Sequence, residues 1–191
     1  MRARAKIPCG LPALWLVTDP ARMRDPVAVA ERLPRGAGVI FRAFGAADAV
    51  GTGRRLATAH RRQGLILLVG ADAALARAIG ADGVHLPERL AHQAGAIRRG
   101  RPGWTVTAAA HGRVAIRRAR RAGAMAVLVS PVFESPSPSA GAPLGVIRFA
   151  ALASGARCPV YALGGIDALG AQRLRATGAA GVAAVSAMSR T

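Results

Sequence analysis

Pro159-Val-Tyr-Ala-Leu-Gly-Gly-Ile-Asp167, followed after a helix-length interval by Gly178-Ala-Ala-Gly-Val-Ala-Ala-Val-Ser-Ala187, decides how this chain folds. Each stretch is a short continuous apolar run that ends in small residues. Such runs read as consecutive buried parallel strands, because a strand covered on both faces has no reason to alternate polar and apolar residues. The turns behind them carry no bulky side chains, so the backbone N–H groups of Gly164, Gly165, Ile166, Val185 and Ser186 are free to approach an anion. A glycine pair alone says little in a chain with 23 glycines. The order strand, Gly-Gly-Ile, helix, strand, Val-Ser is more specific. It matches the phosphate cradle that eight-stranded α/β barrels build behind their last two strands.

Working outward, the same alternation recurs along the chain. Strands are expected at Leu14–Thr18, Val39–Arg42, Leu65–Val69, Gly83–Leu86, Thr105–Ala110, Ala126–Ser130, Val160–Leu163 and Gly181–Val185. Ala/Leu/Arg-rich segments of helical period lie between them, at Ala46–Gln63, Ala73–Ile79, Ala91–Arg99, Val114–Ala122 and Ala168–Ala176. Eight strand–helix repeats imply one α/β domain over residues 1–191, a closed (β/α)8 TIM barrel. The Pro/Ser-rich run Glu134–Pro143 reads as a loop behind the sixth strand. Only Ala187–Thr191 follow Ser186, which predicts a truncated or missing final helix and, with that flank uncovered, either burial in a homodimer or marginal stability.

Composition narrows the partners. No apolar run approaches the roughly 18 residues of a membrane span. Pro12 breaks the apolar start, which favours a first strand over a signal peptide. The net charge of +18 comes almost wholly from arginine, with Lys6 the one lysine. These arginines fall on expected helix surfaces without interleaved aromatics, so the reading is a solvated coat, with neither nucleic acid nor membrane as partner. Cys9 and Cys158 stand far apart and show no metal-ligand spacing, as in a reduced cytoplasmic protein.

The chain as a whole resembles the thiamine phosphate synthases and their sister thiazole tautomerases of the TenI type. The resemblance rests on Leu16-Val-Thr-Asp19, Val39-Ile-Phe-Arg42, Gly80-Ala-Asp-Gly-Val-His-Leu86, His111, Pro131-Val-Phe133, Ala162-Leu-Gly-Gly-Ile166 and Gly181-Val-Ala-Ala-Val-Ser186. It implies a phosphorylated thiazole as ligand. For a synthase it also implies a pyrimidine-methyl diphosphate and magnesium.

Several of the synthase's polar groups are replaced. Ile40-Phe-Arg42-Ala-Phe44 keeps only the arginine of the family's Gln-Leu-Arg-Glu-Lys run. Gly70-Ala71 stands where the family has Asn-Asp, and Leu90 where it has a second magnesium-binding Asp. Ala109 and Pro138 occupy the places of a Ser and a Lys that meet the pyrimidine diphosphate. Asp72 and Glu88 are one residue out of step, and magnesium tolerates little deviation from octahedral oxygen geometry. No metal ligand is therefore assigned, and no cofactor is expected unless the chain is a synthase. The thiazole-phosphate half persists, with Ser135 and Ser137 supplying hydroxyls beside the glycine turn.

His111 matches the position of the tautomerase's catalytic histidine, and an imidazole can carry a proton between two ring carbons without metal. A structural role capping the fifth strand is the competing reading. Arg42, at a strand's C-terminal end, can hold a substrate carboxylate or phosphate; its rival is a buried ion pair with Asp19 or Asp82. His85 alternates away from its neighbours and reads as a hydrogen-bonded core residue, His60 and His92 as solvated. The leading expectation is a thiazole-phosphate-binding barrel with tautomerase-like proton transfer. The alternatives are a synthase with atypical residues and a non-catalytic phosphate-binding relic.

Overall fold

The apolar runs become eight parallel strands in the computed structural model, which describes residues 10–135, 137 and 141–185. They are β1 (Leu14–Val17), β2 (Gly38–Phe41), β3 (Ile66–Gly70), β4 (Gly83–Leu86), β5 (Thr105–Ala110), β6 (Ala126–Val129), β7 (Val160–Leu163) and β8 (Gly181–Ala184). Each pairs with its sequence neighbours, and β8 pairs with β1 (Leu14 beside Val182, Leu16 beside Ala184), so the sheet closes into a ring. This is the expected (β/α)8 barrel.

Along each strand successive side chains point to opposite sides. Leu16, Val39, Leu67, Val84, Val106, Val127 and Val160 pack outward into the layer shared with the helices. Trp15, Val17, Ile40, Leu68, Ala126, Leu128, Tyr161 and Ala183 fill the interior. Trp15 is wholly buried and its ring lies against the bare Cα of Gly38. Its removal would cost about 3–5 kcal/mol, the usual penalty for emptying a large aromatic site.

Among the described residues seven α-helices return the chain between strands: α1 (Pro26–Glu31), α2 (Ala49–Gln63), α3 (Ala73–Ile79), α4 (Ala94–Gly100), α5 (Arg113–Arg121), α6 (Gly145–Gly155) and α7 (Ala168–Arg173). A 3-10 helix, Glu88–Gln93, precedes α4, so the stretch expected as one helix from Ala91 divides in two. Asp25, Asp72 and Asp167 cap α1, α3 and α7 by accepting from backbone N–H groups of the first turn. Gly64 and Gly80 stop α2 and α3 in the left-handed conformation. Helices α1 and α6 were not among the expected segments.

The last-helix expectation concerns residues 187–191, outside those described, as does Ser186. The Glu134–Pro143 loop is described only at Glu134, Ser135, Ser137 and 141–143. No helix among the described residues is long and apolar enough to cross a membrane. Because all strands run the same way, their C-terminal ends meet at one end of the barrel. There the loops bring together residues from every part of the chain.

Candidate functional site

A cavity of about 800 Å³ opens at that end. Of the residues singled out in the sequence, Arg42, His111, Ser135, Ser137, Gly164 and Val185 line it. Gly165 and Ile166 do not: Ile166 turns into the core and Gly165 sits at the surface beside the β6 loop.

The glycine turn is built against that loop. Gly164 and Gly165 have φ of +95° and +64°, a region side-chain-bearing residues avoid. A Cβ on Gly164 would come within 2.9 Å of the Pro131 Cα, and one on Gly165 within 2.8 Å of the Phe133 Cβ. Val132 and Phe133 donate their N–H groups to the carbonyls of Leu163 and Gly164, at 2.9 and 3.0 Å. The pair therefore has a packing role that the sequence reading did not foresee. It does not consume the turn's own donors, since among the described residues nothing accepts from the N–H groups of Gly165 and Ile166.

His111 follows β5 and is more than half exposed, its side chain at 56%. Its Nδ1 lies 2.8 Å from Oε2 of Glu88, and its backbone N–H donates to the same oxygen at 3.0 Å. Glu88 follows β4, the strand beside β5. A carboxylate accepts only, so in the neutral ring the proton is on Nδ1 and Nε2 keeps its lone pair. That is the tautomer of an oriented base. The cap reading of His111 is met only in part, since the imidazole is anchored by a partner side chain.

Arg42 has a different environment. Its Nε donates to the carbonyl of Thr18 at 2.7 Å, its Nη2 to Asp19 at 3.2 Å, and its plane lies over the Phe44 ring at 5.0 Å. The expected ion pair is with Asp19. Asp82 instead accepts from the Leu67 N–H at 2.8 Å and sits 3.5 Å from His60. Burial lowers the Arg42 pKa, Asp19 counteracts this and Arg22 adds to it.

His85 is buried inside the barrel, with Nδ1 2.9 Å from the Thr107 hydroxyl. Burial, with the Arg42 charge second, pushes its pKa down to about 4. It is the hydrogen-bonded core histidine expected, although one edge reaches the cavity. His60 departs from expectation. It is largely buried, with Nδ1 2.7 Å from the Leu65 carbonyl, because the end of α2 folds over the start of β3.

The carboxylates do not fit a magnesium site. The Oδ1 of Asp72 caps α3 by accepting from Leu75 at 2.8 Å, and the Oε2 of Glu88 is taken by His111. Gly70 and Ala71 contribute no ligand side chain to the cavity wall. Among the described residues no three acidic, histidine or cysteine side chains converge on one point.

The family profile described as thiamine monophosphate synthase (TMP-TENI) matches residues 14–188. The chain belongs to the thiamine monophosphate synthase family. It is 37% identical over 184 residues to a Geobacter sulfurreducens protein provisionally named thiamine-phosphate synthase, covering 92% of this chain and 86% of that one. It is 39% identical over 135 residues to the thiamine biosynthesis bifunctional protein ThiM/ThiE of Symbiobacterium thermophilum; this match spans 70% of the chain but only 28% of that longer protein. A solved structure of thiamine phosphate pyrophosphorylase from Pyrococcus furiosus superposes with a TM-score of 0.77, over 93% of this chain and 86% of that one. At 21% identity that likeness establishes the fold.

Sequence reasoning missed three side chains of this site. The sequence marks Glu88 only as a displaced metal ligand, although its place behind a strand next to that of His111 signals the pairing. Arg22 and Arg89 also line the cavity. Both follow strand ends, at β1 and β4, where barrel enzymes gather functional groups.

Proposed function

We propose that the chain binds a phosphorylated thiazole in this cavity and moves a proton on its ring through His111. The observation that carries the proposal is the His111–Glu88 pair at the mouth. The phosphate sits against the end of β7 and β8, where Gly164 and Val185 line the cavity, with the hydroxyls of Ser135 and Ser137 alongside. Nε2 of His111 takes a proton from one ring carbon and returns it to another, so the product is an isomer and no oxidant is required. Glu88 keeps Nδ1 protonated throughout and offsets the imidazolium charge that forms in between. No step passes through a metal ion.

A second reading, a thiamine phosphate synthase with atypical residues, is favoured by the names of the relatives. The test is to incubate the purified protein with a thiazole carboxylate phosphate and follow isomerisation by NMR in heavy water. Ring-proton exchange that disappears in His111→Ala supports the proposal. Formation of thiamine phosphate from hydroxymethylpyrimidine diphosphate, thiazole phosphate and magnesium would establish the synthase instead. Tight binding with neither reaction marks a phosphate-binding relic.

A further inference from the structure

The cavity mouth also carries an aromatic side chain. Ala43, Phe44 and Gly45 follow β2, and all three line the cavity. They form a tight turn: the N–H of Ala46 donates to the carbonyl of Ala43 at 2.9 Å, and the two central residues, Phe44 and Gly45, have φ of +46° and +76°. Positive φ at both centres is the pattern of a type I′ turn, whose ordinary occupants are Asn, Asp and Gly. A bulky residue in this region is strained, because its Cβ crowds the following carbonyl oxygen. Among the described residues only Ala71 shares the feature without being glycine. Burial does not offset the strain. Phe44 is 69% exposed, and of the aromatic side chains among the described residues it alone is classed with the exposed ones. Its ring rests on the Arg42 guanidinium, whose carbon lies 5.0 Å from the ring centre, and Arg42 is held in turn by Thr18 and Asp19. The phenyl group is thus seated on a fixed support and otherwise open at the mouth.

We propose that Phe44 determines ring specificity: it takes the heterocycle of the bound ligand against its aromatic face, so that the cavity selects a planar unsaturated ring over an acyclic group of similar size. This rests on the reading of the cavity as a thiazole-phosphate site and deepens it, by giving the ring a partner of its own. Strain kept at the edge of a ligand cavity, with no packing to repay it in the free protein, is the pattern of a residue placed for binding. The inner wall fits the same ligand. Val17, Leu75, Pro131, Leu163 and Val185 line it, so a ring that enters has apolar surroundings within, and Phe44 supplies the aromatic contact at the lip. Stacked or edge-to-face contact with a phenyl group favours an aromatic partner beyond the area it covers. Phe44 also stands where the resembling Gln-Leu-Arg-Glu-Lys run has its lysine, so a solvated cation has given way here to an apolar ring.

Phe44→Gly removes the ring and relaxes the turn together, so a structural role and a ligand role move different readouts. Thiazole phosphate, titrated calorimetrically, should bind this variant about tenfold more weakly than the wild type, as for the loss of one stacked ring. Inorganic phosphate should bind both alike. The variant should melt at or above the wild-type temperature, because glycine adopts positive φ without strain. Phe44→Tyr should keep the wild-type affinity. Phe44→Leu, apolar but without an aromatic face, should shrink the preference for thiazole phosphate over pentyl phosphate. Thiazole phosphate bound equally by the wild type and Phe44→Gly would overturn the proposal and leave the reading of the cavity intact. So would an equal loss for inorganic phosphate, which would make Phe44 a prop for Arg42, or a preference over pentyl phosphate that Phe44→Leu leaves unchanged. A wild-type chain that binds no thiazole phosphate would overturn the reading of the cavity, and this proposal with it.

Discussion

The two halves of the cavity mouth are lined by different chemistry. Behind β6, β7 and β8 the polar groups are serine hydroxyls and the backbone at Gly164, whose turn admits no Cβ. Behind β1, β2 and β4 they are guanidinium groups on long side chains. A backbone cradle has fixed shape and cannot lose its donors by a change of side chain, but it fails when any side chain is added. Arginine side chains are the reverse: their shape adjusts, and each is deleted separately.

Removing the His111 imidazole should have the largest effect. His111→Ala should lower proton exchange on the thiazole by about 10²- to 10⁴-fold, the usual contribution of a positioned base, while calorimetry shows thiazole phosphate still bound. Gly165→Val places a branched side chain at positive φ against Phe133 and the Glu134 carbonyl. It should destabilise the fold by about 3 kcal/mol in urea denaturation, through backbone strain and displacement of the β6 loop.

His85, on β4 inside the barrel, gives a test by pH. In the unfolded chain it takes up a proton near the ordinary histidine value of 6.5, but in the folded barrel only near 4. Between these values the unfolded state holds more protons, so stability falls as pH drops from about 6.5 to 4 and levels off below. The loss attributable to this residue should approach about 3 kcal/mol and be absent in His85→Gln, as read from melts across the pH range. The smallest effects concern the caps. Asp167→Ala and Asp72→Ala should each cost about 1 kcal/mol in urea denaturation.

Much of this architecture can be read in the sequence because parallel strands are continuous apolar runs. Gly83–Leu86, Thr105–Ala110 and Val160–Leu163 have the expected bounds for that reason. Helix α1 escaped because six residues hold too little periodicity, although Asp25-Pro26 is a start signal of cap and first-turn proline. Helix α6 opens on Gly145 without a side-chain cap and exposes Ile147, so neither its start nor its buried face is marked. In the site, single residues at strand ends were legible, and their partners were not. Glu88 and His111 are 23 positions apart and meet only because β4 and β5 are neighbours in the ring. The Gly-Gly turn was read for its donors alone, because the loop it packs against comes from the preceding strand.

Trp15 and Tyr161 meet edge to face inside the barrel, their ring centres 6.2 Å apart. Tyr161 is the chain's single tyrosine, and the other tryptophan, Trp104, lies in the layer beneath Arg101. Because β8 stands between the strands carrying Trp15 and Tyr161, the pair spans the seam where the ring joins its own beginning. Excitation passed from phenol to indole therefore works as an intrinsic optical gauge of that seam, which darkens when the cylinder opens, without any attached label.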